Sequence, residues 1–191
     1  NSCSSSSNSS FVSNLLFLTA HKIVPPAMEA LVQDKELNLD GFLLPGHVSA
    51  IIGTKPYGFL SEKYSIPAVV AGFEPTDILQ GITSLTNMIY KKEHQITNEY
   101  KRIVKAEGNT VAVKYLDEVS DVVDTRWRGI GVIPNSGYVF NREFEEFDAL
   151  KHFEIEYGEY DGSPGCRCGE ILKGKITPLQ CPLFKRACTP E

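Results

Sequence analysis

Residues 41–53, GFLLPGHVSAIIG, decide the fold. Gly41 to Leu44 form a compact apolar run with no polar alternation, the mark of a strand buried on both faces. Val48, Ile51 and Ile52 then repeat at i, i+3 and i+4, the spacing of a helix face. A strand followed at once by a helix is the building block of a parallel sheet with crossover connections. The block recurs after the breaker Pro67, where Ala68–Ala71 (AVVA) leads into GFEPTDILQGITSLTNMI and Ile78, Ile82, Leu85 and Ile89 make one helical stripe.

Working outward, FVSNLLFLTAH at residues 11–21 contains the apolar run Leu15–Leu18, which predicts another strand of the same kind. Pro25 and Pro26 suit the first turn of a helix that AMEALVQDKEL continues. Downstream, the spacing predicts a helix over 94–106, with Ile96, Tyr100, Ile103 and Val104 on one face and Gly108 and Asn109 ending it. Thr110–Val113 and Gly129–Ile133 read as further strands. The predicted fold class is α/β: a parallel sheet flanked by helices, with a small C-terminal cysteine-rich iron–sulfur region. Residues 1–10, NSCSSSSNSS, are expected to be a disordered leader and Cys3 within them inert. Residues 11–155 are expected to be the α/β domain and 156–191 a cysteine-rich metal-binding segment, the change falling where NREFEEFDALKHFEIEYGEYDGSPG turns acidic, aromatic and then turn-rich.

Nineteen Lys and Arg against 24 Asp and Glu leave a net charge of −5 without long runs of one sign. That balance lacks the basic footprint of a nucleic-acid binder. No apolar run approaches the roughly 20 residues needed to span a bilayer, and the first residues lack a secretory pattern. A soluble, cytoplasmic protein with neither nucleic acid nor membrane as partner is the expectation.

In a parallel sheet, the residues just past the carboxyl ends of the strands share one rim, where open α/β sheets take their ligands. The three clearest strand ends carry His21 (LTAH), His47 (LPGH) and Glu74 (AGFE). Each is also an ordinary polar residue at a helix start, but three titratable or metal-ligating groups on one rim point to a site. Gly46 and Gly72 leave room there for close approach of a ligand, as well as for a tight turn. No dinucleotide or P-loop motif is present. Trp127 is expected to pack a core edge, and NREFEEF to be a solvated helix face.

The most specific pattern is GCRCGEILKGKITPLQCPLFKRACTPE, in which Cys166, Cys168, Cys181 and Cys188 follow C-x-C-x12-C-x6-C. Gathered thiolates suit zinc or an iron–sulfur cluster. The segment lacks the paired C-x2-C knuckles of a zinc ribbon, which favours a [4Fe–4S] cluster and leaves disulfides or free thiols as the remaining alternatives.

TAHKIVPPAMEAL, GFLLPGHVSAIIG, PAVVAGFEPTDIL, WRGIGVIPNSG and CRCGEILKGKITPLQCPLFKRACTPE, in this order, resemble the hydrogenase maturation factor HypD family over residues 15–191. The resemblance implies a scaffold on which iron acquires cyanide and carbon monoxide, as Fe(CN)2CO, for a [NiFe]-hydrogenase. The implied partners are a HypC-type small chaperone and a HypE-type cyanide donor. It implies that His47 and Glu74 face the cleft where the iron is assembled, and that Cys168, Cys181 and Cys188 ligate a redox-active [4Fe–4S] cluster, with Cys166 as the further candidate. The family's amino-terminal domain, with its CGGHTH-like and GPGCPVC-like cysteine motifs, is missing from this sequence, and the family continues past CTPE to another cysteine. One cluster ligand is therefore expected beyond Glu191. A different class remains as the alternative: an α/β metal-dependent enzyme using His21, His47 and Glu74, backed by a structural zinc domain.

Overall fold

The computed structural model describes residues 14–153 and 163–189. The predicted leader at 1–10, Cys3 and the boundary at 155/156 lie outside the described residues. The chain runs α1 (Val24–Val32), β1 (Phe42–Pro45), α2 (Gly46–Ile52), α3 (Gly58–Glu62), β2 (Ala68–Ala71), α4 (Pro75–Lys91), β3 (Ile96–Asn98), α5 (Thr110–Val119), β4 (Ser120–Trp127), β5 (Gly131–Phe140), α6 (Ala149–His152) and α7 (Cys168–Leu172).

β1, β2 and β3 form a parallel sheet in that order, with Leu44 opposite Val70 and Val70 opposite Asn98. β2 is buried at every position, as a central strand covered on both faces must be. Val70 and Ala68 join Leu44, Tyr57, Leu60, Val32 and Val104 in the core. Both strand-to-helix blocks that the sequence predicts are present, and so is the helix begun by Pro25 and Pro26. Among the described residues, no helix is long and apolar enough to cross a membrane.

Elsewhere the architecture departs from expectation. Leu15–Leu18 is not a strand of the parallel sheet: Leu15 and Leu18 are exposed, and the Phe17 backbone pairs instead with Phe147 and Ala149. Within the predicted 94–106 helix, Ile96–Asn98 is β3. The open edge of β2 supplies hydrogen bonds there that a helix would forgo, and Asn98 closes the turn after it, its Oδ1 accepting from Tyr100 N–H and its Nδ2 donating to the Val104 carbonyl. Thr110–Val113, read as a strand, opens α5 because Asn109 caps it, accepting from Ala112 N–H at 3.1 Å.

Gly129–Ile133 is a turn leading into β5, which pairs antiparallel with β4 as a hairpin rather than parallel. Trp127 is half-buried in that hairpin, its indole N–H donating to Ser136 Oγ at 2.8 Å. NREFEEF is a turn followed by a short 3-10 helix, not a helix face. The stripe Ile78, Ile82 and Ile89 stays exposed, since α4 approaches the sheet through Asp77, Gly81 and Met88. Gly81 lies so close to Ala71 and Leu43 that a larger residue would lift the helix off the sheet.

Candidate functional site

β1 and β2 are neighbours, so the segments leaving their carboxyl ends, Gly46-His47 where β1 passes straight into α2, and the loop Gly72-Phe73-Glu74, lie side by side. His47 and Glu74 are both exposed, and the His47 imidazole packs on the Phe73 ring with centroids 4.9 Å apart. Glu74 has extended backbone ahead of Pro75 and caps α4, its carbonyl accepting from Ile78 N–H. Its carboxylate makes no capping hydrogen bond.

His21 reaches the region from another direction. Its segment runs along β5, where Tyr138 N–H donates to the His21 carbonyl and Ile23 N–H to the Ser136 carbonyl. His21 is therefore not at the end of a parallel strand, yet it lines the same cavity as His47. That cavity, of about 340 Å³, lies between α2, the end of α5, β5 and residues 17–25, and its walls include Val24, Ile51, Ile52, Leu116 and Phe140. Glu74 does not line it.

The space beside Gly46 and Gly72 is filled by the protein. A methyl group on Gly46 would come within 2.5 Å of the Ala71 carbonyl oxygen, and one on Gly72 would run into the Asp77 carboxylate. Asp77 and Arg102 were not singled out from the sequence, and Tyr100 was read there only as part of a helix face. Asp77 is buried and bound by both ends of the Arg102 guanidinium, at 2.7 and 2.6 Å. Its carboxylate also accepts from the Glu74 backbone N–H, tying the loop to the first turn of α4. The visible signal was an acid three residues after the helix cap; the arginine lay inside a stretch read as helix.

The Arg102 hydrogen bonds, followed by its charge, hold the Asp77 carboxyl below its usual range. A depressed folded-state pKa means that stability from this pair is present above the unfolded value, near 3.9, and is lost as pH falls through the folded one. Thermal melting between pH 6 and pH 2 should therefore show a falling Tm to which Asp77 contributes. Asp77→Asn should lower Tm at neutral pH and flatten that acid dependence; an unchanged profile would remove Asp77 from the account.

The cysteine segment docks on the α/β body. Asn38 N–H donates to the Lys173 carbonyl at 2.8 Å, and Lys173 and Lys175 pair with Asp34 and Glu36 at 2.6 and 2.8 Å. Gly169 packs backbone to backbone on Gly129, joining α7 to the hairpin turn. All four thiols are free. Cys181 is buried, and backbone N–H groups of Arg167, Leu183 and Phe184, with the Arg167 guanidinium, hold its thiol below the usual range. Arg128 Nη2 donates to Cys166 Sγ at 3.8 Å. A thiolate fed by amide N–H groups is what a soft metal or cluster requires of a ligand, so the donor chemistry at Cys181 fits such a group. Among the described residues, no three His, Cys, Asp or Glu side chains gather where they would hold a single metal ion.

Comparison with known proteins bears on the same residues. Residues 3–191 match the family model HypD, described as the hydrogenase formation hypA family. The chain is 42% identical over 179 residues to a putative hydrogenase expression/formation protein of Methanocaldococcus jannaschii, covering 94% of this chain and 50% of that one. It is 39% identical over 181 residues to the hydrogenase maturation factor HypD of Escherichia coli, covering 94% and 48%. It is likewise 39% identical over 181 residues to HypD2 of Bradyrhizobium diazoefficiens, covering 90% and 47%. The chain thus spans about half the length of the curated relatives it matches. With the match running through both βα loops and the cysteine segment, this chain belongs to the HypD family.

Proposed function

We propose that this chain serves in maturing a [NiFe]-hydrogenase in the cytoplasm, as part of a scaffold on which a HypC-type partner presents iron and a HypE-type donor supplies cyanide to build Fe(CN)2CO. The observation that carries this reading is the family match over residues 3–191. The exposed pair on adjacent strand ends supports it. His47 offers an imidazole and Glu74 a carboxyl group, both on the rim where an incoming iron complex or its cyanide would be met. His21, sharing the cavity with His47, is a supporting group.

In the same reading Cys168, Cys181 and Cys188, with Cys166, hold a [4Fe–4S] cluster, which when bound supplies electrons for the assembly. What the chain itself contributes is a Cys181 thiol held below its usual range by backbone N–H groups, and a cationic neighbour, Arg128, at Cys166. Purification of the natural full-length protein without oxygen, with iron and sulfide reconstitution, tests the reading. A brown protein absorbing at roughly 400 nm, the charge-transfer region of cluster thiolates, with iron and sulfide in equal amounts, is expected. A colourless protein that takes up zinc and no sulfide would overturn the cluster and favour a metal-dependent enzyme with a structural zinc segment.

A further inference from the structure

The loops carrying His47 and Glu74 rest on one aromatic ring. Tyr100 follows β3 in the turn that Asn98 closes, and its ring occupies the space a side chain would need at both loop glycines. A methyl group on Gly46 would sit 2.7 Å from Tyr100 Cδ1, and one on Gly72 would sit 2.8 Å from Tyr100 Cε2. Those carbons are diagonally opposite, so the ring spans from the residue before His47 to the residue two before Glu74. The Arg102 guanidinium lies over the ring, 4.5 Å from its centroid, while gripping Asp77 at the start of α4. The ring is thus held between two loops and a cation that is itself anchored.

We propose that Tyr100 is a positioning residue that sets the separation of the His47 and Glu74 side chains, with Arg102 and Asp77 fixing its ring. The proposal rests on the reading that His47 and Glu74 act together. At both glycines the ring shares the space with a closer neighbour, the Ala71 carbonyl oxygen at Gly46 and the Asp77 carboxylate at Gly72, so a side chain at either would press on the ring as well as on that neighbour. Contact is through ring carbons, so the Tyr100 hydroxyl is dispensable to it. A shift of about 1 Å at a reacting group costs up to roughly a hundredfold in rate, which makes such a spacer consequential.

The test uses the natural full-length protein with Tyr100→Phe, Tyr100→Leu and Tyr100→Ala. Because His47 packs on Phe73 at 4.9 Å, its ring protons carry a ring-current shift, and Phe73→Leu defines their position without it. Tyr100→Leu and Tyr100→Ala are expected to move the His47 signals toward the Phe73→Leu values and to lower hydrogenase maturation at least about tenfold. Tyr100→Phe should keep both at wild-type values. His47 signals unchanged in a folded Tyr100→Leu protein would overturn the proposal. So would shifted signals with full maturation, or failure of both the leucine and alanine variants to fold, which would make the ring a stability element. If His47→Ala itself left maturation intact, the site reading would fail while the resonance shifts still decided what Tyr100 does.

Discussion

His47→Ala and Glu74→Gln are each expected to lower hydrogenase maturation by at least about a hundredfold while Tm barely moves. The magnitude is that of losing a positioned acid, base or ligand. The unchanged stability follows from exposure: both residues are exposed, and the Glu74 carboxylate caps nothing, so the substitutions leave no cavity and no orphaned buried group. Glutamine keeps the shape of Glu74 and removes only its charge and proton chemistry, so a loss there isolates the carboxylate. His21→Ala should have a smaller effect, because His21 meets the site only across the cavity it shares with His47. The measurement is hydrogenase activity at equal protein level in cells whose maturation depends on this protein. Normal activity from either His47→Ala or Glu74→Gln would remove that residue from the site.

Cys181→Ser should lose iron and sulfide together and leave a colourless protein. Of the four cysteines, Cys181 is the buried one, and its sulfur draws on three backbone N–H groups and the Arg167 guanidinium. That environment favours the charged thiolate, the form that ligates. A serine hydroxyl there stays protonated and is a poor substitute for a cluster thiolate. The folded-state thiol pKa lies below its unfolded value, so this contribution is present above the unfolded pKa and lost as pH falls through the folded one. Reconstitution should accordingly weaken as the medium is acidified. Cys166→Ser should be milder than Cys168→Ser if the x12 spacing from Cys168 defines the ligand set. Equal losses from the two would assign both thiols to the cluster. Full iron and sulfide in the Cys181→Ser protein would exclude Cys181 as a ligand.

What was legible in the sequence was local. GFLLPGHVSAIIG and AVVAGFEP each contain an apolar run, a breaker and a helix start within a dozen residues, and such signals act through neighbouring backbone without reference to the rest of the chain. Pro25 and Pro26 announced α1 for the same reason. The family, too, was legible, because its motifs are short and contiguous, and with it the candidates His47, Glu74 and the cysteines.

Pairing was decided by the tertiary structure. Ile96–Asn98 has helical periodicity, but the open edge of β2 made it a strand. Leu15–Leu18 is apolar enough for a core, yet no strand edge of the parallel sheet received it, and it lies against Phe147–Ala149. The stripe on α4 was regular, but Gly81 let the helix approach on a different face. Asp77 lies in α4 and Tyr100 and Arg102 in the turn after β3, 23 and 25 residues on, and their contact exists only once β3 has paired. Hydrophobic pattern states that a face must be covered; which strand edge, ring or ion covers it depends on residues distant in sequence, whose meeting is paid for by the packing of the whole core.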